Sequence, residues 1–191
     1  IGNRTVDEEA TLELTLGSTD VDGGAPIYAL GANPQGGTLS GNLFSWTPTE
    51  EQGPGDYSFT FTVTDGAGGS DFETITVHVN EVNEAPVLAA IPNQTVAAIQ
   101  ELTFSASGTD PNDIPANALT YSLVGAPIGA SIDPGTGVFS WTPVALQVGV
   151  HNFTVRVTDD GTPNLSADQP VQVTVTMNNT PPVASNGNFA T

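Results

Sequence analysis

The sequence repeats itself with a period of about 95 residues, and this repeat constrains the fold more than any other feature. The string LFSWTP at 43–48 returns as VFSWTP at 138–143, an offset of 95 residues. The strings IGNRTV at 1–6 and IPNQTV at 91–96 are related in the same way, with an offset of 90 residues. A period of this length matches the size of one small β-sandwich domain. We therefore expect two domains of one kind in series.

The predicted domain boundary lies in the segment 80–86, NEVNEAP, which joins the last strand of the first repeat to the second repeat. Pro86 stiffens this connection because proline fixes its own φ, and the segment lacks the Gly/Ser content of a flexible tether. The sequence predicts domain 1 over 1–82, domain 2 over 83–179, and the start of a following domain over 180–191. Since the chain begins and stops within repeats, we expect it to be part of a longer protein.

Alternation of apolar and polar side chains predicts β-strands in both repeats, and no stretch has sustained helical periodicity. The pattern is clear at Tyr57, Phe59, Phe61 and Val63, which alternate with Ser and Thr. A period of two residues places one face of each strand in a core and the other in solvent. Short strands separated by clusters of Gly, Pro, Asn and Asp are typical of immunoglobulin-like sandwiches. The predicted fold class is all-β, with two tandem antiparallel β-sandwiches.

The charge of the chain excludes several classes of function. Asp and Glu total 21 residues, whereas Arg4 and Arg156 are the two basic ones, and the net charge is −19. Such a chain cannot neutralise phosphates, so we predict no nucleic-acid partner and no binding to anionic membranes. No apolar run approaches the length of a membrane span. The sequence also lacks Cys, G-x-S-x-G, H-E-x-x-H and a phosphate-binding glycine loop, so we predict that it is not an enzyme.

A family resemblance rests on motifs that occur in both repeats. Each repeat carries a Thr-Asp loop, an FSWTP strand, a VTD strand end and an Asn-rich joint that leads into proline. This pattern resembles the cadherin-like repeats of bacteria and archaea, also called dystroglycan-type cadherin-like or putative-Ig repeats. The resemblance covers nearly the whole chain, twice. It implies cadherin-like sandwiches in tandem, in an extracellular or cell-surface protein, with calcium bound at the joints.

The resemblance also implies which residues bind calcium. Joints of this type take carboxylates from the first strand, from loops of both domains and from the connecting segment. The physical argument agrees, because many carboxylates brought together need a cation, and Ca²⁺ takes six to eight oxygen ligands. The predicted metal ligands are Glu8, Glu9, Glu50, Glu51, Glu81, Asn83, Glu84, Asp110, Asn112, Asp113 and Asp159.

The two repeats differ in these acids. Glu8 and Glu9 align with Ala98 and Ile99, and Glu81 aligns with Met177. The acids at 50–51 fall within the segment VALQ in the second repeat. We therefore predict a calcium-free joint after residue 180, held by Pro181-Pro182 and packing.

These observations favour a structural and adhesive module, whose partners are calcium, the neighbouring domains of the same chain, and other surface proteins, glycans or copies of itself. Two alternatives are a carbohydrate-binding accessory module and a self-assembling filament or S-layer subunit. Exposed aromatic residues would favour the first alternative. Trp46 and Trp141 hold equivalent positions, and we predict that both are core residues rather than sugar-stacking platforms.

Overall fold

The computed structural model describes residues 1–21, 23–33, 35–111 and 113–178. The described chain divides into two compact units. The first contains Ile1–Glu84 together with residues 113–117, and the second contains Ala85–Pro111 and residues 118–178. The division after Glu84 lies two residues beyond the boundary expected from the sequence, and the expected domain start at 180–191 lies outside the described residues.

The first unit has seven strands in two sheets. One sheet has the order β1-β7-β6-β3 and the other the order β2-β5-β4. A short 3-10 helix, Glu50–Gln52, follows β5. The strands are β1 (Arg4–Asp7), β2 (Leu12–Thr15), β3 (Ile27–Leu30), β4 (Thr38–Ser40), β5 (Leu43–Trp46), β6 (Gly55–Thr64) and β7 (Ser70–Asn80).

The second unit repeats this plan with small additions. Its larger sheets have the orders β12-β15-β16-β9 and β10-β14-β13, and β8 pairs with β11. The equivalent 3-10 helix is Ala145–Gln147. The strands are β8 (Val87–Leu88), β9 (Gln94–Ala97), β10 (Leu102–Ser105), β11 (Gly108–Thr109), β12 (Thr120–Val124), β13 (Ser131–Ile132), β14 (Val138–Trp141), β15 (Gly149–Thr158) and β16 (Ser166–Thr176).

The predicted all-β sandwich class is confirmed, with one addition to the antiparallel pattern. In each unit one strand near the start pairs in parallel with the last strand: β1 pairs with β7, and the equivalent β9 pairs with β16. The other pairings in the described chain are antiparallel. β1 and β7 run in the same direction, and so do β9 and β16. Two such strands can pair only in parallel.

The core of each unit lies between its two sheets. In the first unit, the ring of Phe44 on β5 packs edge-on against Phe59 on β6, with centroids 4.9 Å apart. Trp46 and Trp141 are fully buried in their own units, which confirms their predicted core role. Each indole N–H donates to a backbone carbonyl, that of Gln35 at 2.9 Å or that of Ile128 at 3.3 Å. A buried tryptophan can therefore satisfy its one polar atom without solvent.

No helix among the described residues is long and apolar enough to cross a membrane.

Candidate metal centre

Three backbone segments meet at the end of the first unit where β7 terminates. The turn after β1 is bound to β7, because the Glu8 amide donates to the Asn80 carbonyl at 3.1 Å. The same turn is bound to the segment after β5, because the Glu9 amide donates to the Pro48 carbonyl at 2.9 Å. The 3-10 helix Glu50–Gln52 follows Pro48 directly. This arrangement brings acidic residues that are far apart in the sequence to one end of the sandwich.

Three of these acidic side chains converge. One carboxylate oxygen from each of Glu8, Glu50 and Glu81 lies within 4.8 Å of the other two. Glu8 is only 4% exposed, and its Oε1 accepts a hydrogen bond from the Val82 amide at 2.7 Å. The opposite oxygen, Oε2, is buried and has no hydrogen-bond partner among the described residues. One carboxylate oxygen of Glu50 and one of Glu81 are likewise buried without a hydrogen-bond partner among the described residues. These oxygens are suitable ligands for a cation.

The loop 113–117 joins this cluster, although it follows the second unit's first strands in sequence. The Ile114 amide donates to Glu81 Oε1 at 3.0 Å, and the Glu84 amide donates to Asp113 Oδ1 at 3.1 Å. Asp113 is buried, and its Oδ2 lacks a hydrogen-bond partner in the described part of the chain. The Asn117 side chain donates to Asn83 Oδ1. A fourth buried carboxylate therefore belongs to the first unit.

A glycine makes room for the Glu8 carboxylate. A Cβ on Gly53 would lie 2.0 Å from Glu8 Oε2, which is far inside contact distance. Gly53 has φ −95° and ψ 144°, so its backbone does not itself require glycine. Any side chain at this position would displace Glu8 from the cluster. The sequence analysis did not single out Gly53, since a glycine after a turn is common for reasons of backbone alone.

Burial and mutual repulsion disfavour ionised carboxyls in this cluster. Burial raises the pKa of Glu8, and the nearby Glu81 and Asp113 raise it further, whereas the hydrogen bond from the Val82 amide lowers it. The pKa of Glu50 is raised to about 7, mainly by burial and further by the charges of Glu8 and Glu81. A bound cation would offset both effects and keep the carboxylates ionised.

The two arginines direct their hydrogen bonds elsewhere. Arg156 donates two hydrogen bonds of 2.7 Å to Asp168 in the second unit. Arg4 donates to the backbone carbonyls of Gly2 and Asn3. A soluble cation is thus the simplest partner for the carboxylate cluster. The donors are all oxygens, which fits a hard ion such as Ca²⁺ better than a metal that prefers nitrogen or sulfur.

The remaining predicted ligands do not enter this cluster in the same way. Glu9 and Glu51 are exposed at its edge, next to Glu8 and Glu50. Asp110 and Asp159 are buried in the second unit. Both carboxylate oxygens of Asp159 accept the Leu165 amide, at 2.9 and 3.1 Å, so this side chain also closes its own loop. Asn112 lies outside the described residues.

Two contributors, Asn117 and Gly53, were not predicted from the sequence. Asn117 could have been suspected from its position in a loop rich in Asn and Asp, but no spacing rule indicates that it contacts Asn83. Gly53 becomes significant only when the position of Glu8 is known.

Comparison with known proteins agrees with this architecture. The family model described as "Putative Ig domain" matches residues 85–187, and the model described as "Bacterial Ig domain" matches residues 2–78. Human Protocadherin Fat 1 is 27% identical over 197 residues, which cover 94% of this chain and 4% of Fat 1. The chain thus spans a small part of that relative.

Solved cadherin structures have the same fold. Drosophila N-cadherin EC1-4 superposes with a TM-score of 0.65 at 17% identity, covering 92% of this chain and 48% of that one. Mouse Cadherin-23 EC22-24 gives a TM-score of 0.58 at 21% identity, covering 92% of this chain and 62% of that one. The expected resemblance to cadherin-like and putative-Ig repeats is confirmed.

Proposed function

The chain belongs to the putative Ig-domain family of β-sandwich repeats, and on this premise we propose that it is a structural and adhesive module of an extracellular protein, with calcium bound at the end of its first repeat. The observation that carries the proposal is the convergence of Glu8, Glu50 and Glu81, each of which has one carboxylate oxygen within 4.8 Å of one oxygen of each of the others.

The ligand set of this site has the composition that calcium requires. Glu8, Glu50, Glu81 and Asp113 each offer a buried oxygen that no described residue satisfies. Calcium takes six to eight oxygens at about 2.3–2.6 Å, and water, carbonyl and amide oxygens commonly complete the set. Asn83 and Glu84 lie in the same segment as Glu81 and are candidates for that completion. From the repeat pattern, we also include Asp110 and Asp159 of the second unit as ligands.

Calcium at this site would stiffen the connection between the repeats. Glu81 and Glu84 belong to the connecting segment, whereas Glu8 and Glu50 belong to the body of the first sandwich. An ion that binds both groups would fix the segment to the sandwich. Modules of this kind in extracellular proteins bind calcium with Kd on the order of 10⁻⁴–10⁻³ M. Extracellular calcium would then keep an array of repeats extended for adhesion or for spacing of other domains.

The test is a calcium titration of the full chain by calorimetry, together with two variants. We expect Kd on the order of 10⁻⁴–10⁻³ M for the unmodified chain. Glu50→Gln removes one charged ligand with little change in shape, and we expect it to weaken binding at least about tenfold. Glu13→Gln, an exposed acid on β2, is the matched control and should bind as the unmodified chain does.

Two results would count against calcium as the ligand. One is the absence of binding heat at millimolar calcium. The other is equal weakening by Glu50→Gln and Glu13→Gln, which would indicate only general attraction of cations to an acidic surface.

A further inference from the structure

The second unit has the same backbone arrangement at the end where β16 terminates. The Ala98 amide donates to the Thr176 carbonyl at 2.8 Å, and the Ile99 amide donates to the Pro143 carbonyl at 2.7 Å. The turn after β9 is therefore bound both to the last strand and to the segment after β14, just as the turn after β1 is bound in the first unit. The two ends share one backbone arrangement and differ in the side chains that they present.

Large apolar side chains are exposed at this end of the second unit. The side chains of Trp141 and Gln147 donate to the Ile128 carbonyl at 3.3 and 3.0 Å, so the loop between β12 and β13 lies beside the 3-10 helix Ala145–Gln147. Leu146 on that helix is 98% exposed. Five such side chains are each more than half exposed, and we call them the apolar end: Ile99, Ile128, Val144, Leu146 and Met177.

This surface is not explained by the fold of the unit alone. The first unit has the same fold and carries polar residues at the five corresponding positions, namely Glu9, Gln35, Thr49, Glu51 and Glu81. Single exposed apolar residues are common, but a group of large ones on one surface marks a contact with another molecule or domain. A metal is not that partner, because aliphatic and thioether side chains supply no hard oxygen ligand.

The segments that form the apolar end contain no charged residue, although the net charge of the chain is −19. These segments are 97–100, 126–130, 142–148 and 175–177. Two copies of so acidic a chain repel each other, and the repulsion is weakest between surfaces that carry no charge. A basic partner would be drawn to the acidic surfaces instead. The charge distribution therefore favours a second copy that meets the first through the same surface.

The exposed area is close to what such a contact requires. Burying one large aliphatic side chain removes on the order of 100 Å² of apolar area from water, so the five mostly exposed members offer roughly 300–400 Å² per copy. A standard interface buries about 800 Å² per partner, a little over half of it apolar. The apolar end thus supplies most of the apolar area of a small interface.

We propose that two copies of this chain associate through their apolar ends, in a two-fold contact that needs no metal. In such a contact each residue meets a residue of the same surface, so an uncharged apolar surface is complementary to itself. Leu146 and Ile128, the most exposed members, lose the most contact with water on association. Interfaces of standard size have Kd values from about 1 μM to about 1 pM, and this smaller one should be weaker than about 1 μM.

Sedimentation equilibrium of the full chain tests the association, over roughly 1 μM to 1 mM protein with a chelator present. We expect the average mass to rise with concentration and to level off at two copies. Higher salt should lower the Kd, because it screens the repulsion between the acidic chains. Leu146→Asp places two like charges in the contact and should raise the Kd at least about tenfold.

The matched control is Phe72→Asp, which puts the same charge at an exposed apolar position of the first unit and should leave the Kd nearly unchanged. Both positions are exposed, so we expect both variants to fold, and unchanged tryptophan fluorescence checks this. Glu50→Gln, which removes a proposed calcium ligand, should also leave the Kd unchanged. The association and calcium binding can therefore fail separately.

A mass of one copy at every concentration would overturn the proposal. Growth beyond two copies would overturn it as well, because a head-to-tail contact is open-ended whereas a two-fold contact closes. Weakening by Phe72→Asp or Glu50→Gln equal to that by Leu146→Asp would place the contact outside the apolar end. A Kd that rises with salt would contradict an apolar contact, and a dimer that forms only with calcium would contradict a contact that needs no metal.

Discussion

The ends of the two units carry opposite chemistry on the same backbone. In both, an amide in the turn after β1 or the equivalent β9 donates to the carbonyl of a proline in the WTP motif, that of Pro48 or Pro143. A glutamine closes the following 3-10 helix in each. One end gathers buried carboxylates, whereas the other presents exposed aliphatic side chains. The repeat therefore fixes the positions of these segments, while a few side chains determine the chemistry of each end.

The largest expected effect concerns the part that the two ends share. Trp46→Ala and Trp141→Ala each remove a fully buried side chain and its hydrogen bond to the adjoining loop. We expect each to lower the free energy of unfolding of its own domain by about 3–5 kcal/mol, measured by urea denaturation. Phe72→Ala, at an exposed position, is the control and should change it little. If only one of the two tryptophan variants is destabilised, the tryptophans do not have the same structural role in the two units.

Exchanging side chains between the ends should produce the next largest effect. The triple substitution Glu8→Ala, Glu50→Ala and Glu81→Met gives the first unit the residues found at Ala98, Ala145 and Met177. Calcium at a hundredfold excess over Kd should stabilise the unmodified protein by about 2.7 kcal/mol, and the triple variant should lose this gain. The stabilisation by calcium is measured by thermal unfolding of each protein, once with calcium and once with a chelator. Retained stabilisation in the triple variant would assign the calcium to other acids.

A smaller effect is expected from the glycine that accommodates Glu8. Gly53→Ala should displace the Glu8 carboxylate and weaken calcium binding about tenfold, or about 1.4 kcal/mol. The backbone angles at Gly53 are open to alanine, so the effect reports contact with Glu8 rather than strain. The control is Gly17→Ala, since a Cβ there would meet no atom within 4 Å. Equal affinities for the two variants would mean that Glu8 is not a ligand.

The smallest expected effect is a dependence of stability on pH in the absence of calcium. The pKa of Glu50 is raised from 4.5 to about 7 in the folded state. A raised pKa means that the folded state holds its proton more tightly, so this contribution is complete below pH 4.5 and is lost as the pH rises through 7. We expect the first unit to melt a few degrees lower at pH 8 than at pH 5 in the presence of a chelator.

Calcium should reverse the order of the melting temperatures at pH 5 and pH 8. It binds the ionised carboxylates and therefore stabilises the first unit more at pH 8 than at pH 5. The depressed pKa values of Asp65 and Asp133 affect stability only at lower pH and do not interfere. In Glu50→Gln the difference between pH 5 and pH 8 should shrink. If Glu50→Gln keeps the whole difference in stability between pH 5 and pH 8, a group other than Glu50 causes that difference.

The sequence predicted the repeat and the strands, and the family resemblance implied a larger set of calcium ligands that includes Glu8, Glu50 and Glu81. Alternation with a period of two residues marks strands wherever one face is buried. These acids were taken from the resemblance, and the topology of the sandwich brings the three of them, which follow β1, β5 and β7, to one end.

Other parts of the site depend on contacts that have no sequence signature. Asp113 groups with the first unit because its loop is bound to residues 81–84, a long-range pairing that the order of the repeats does not indicate. The role of Gly53 depends on one interatomic distance. The parallel pairing of β1 with β7 was also missed, since alternation within a strand does not reveal the direction of its neighbour.

This parallel pairing has a mechanical consequence. The strands β1 and β7 of the first unit lie side by side, with four residue pairs in register, from Arg4 and Val77 to Asp7 and Asn80, and β9 and β16 of the second unit pair in the same way. Tension applied to the two termini pulls such strands past each other along their length. The hydrogen bonds between them are then loaded in shear and share the force, whereas a hairpin pulled from its open end breaks one bond at a time. Each repeat is thus built to resist stretching along the axis of the chain.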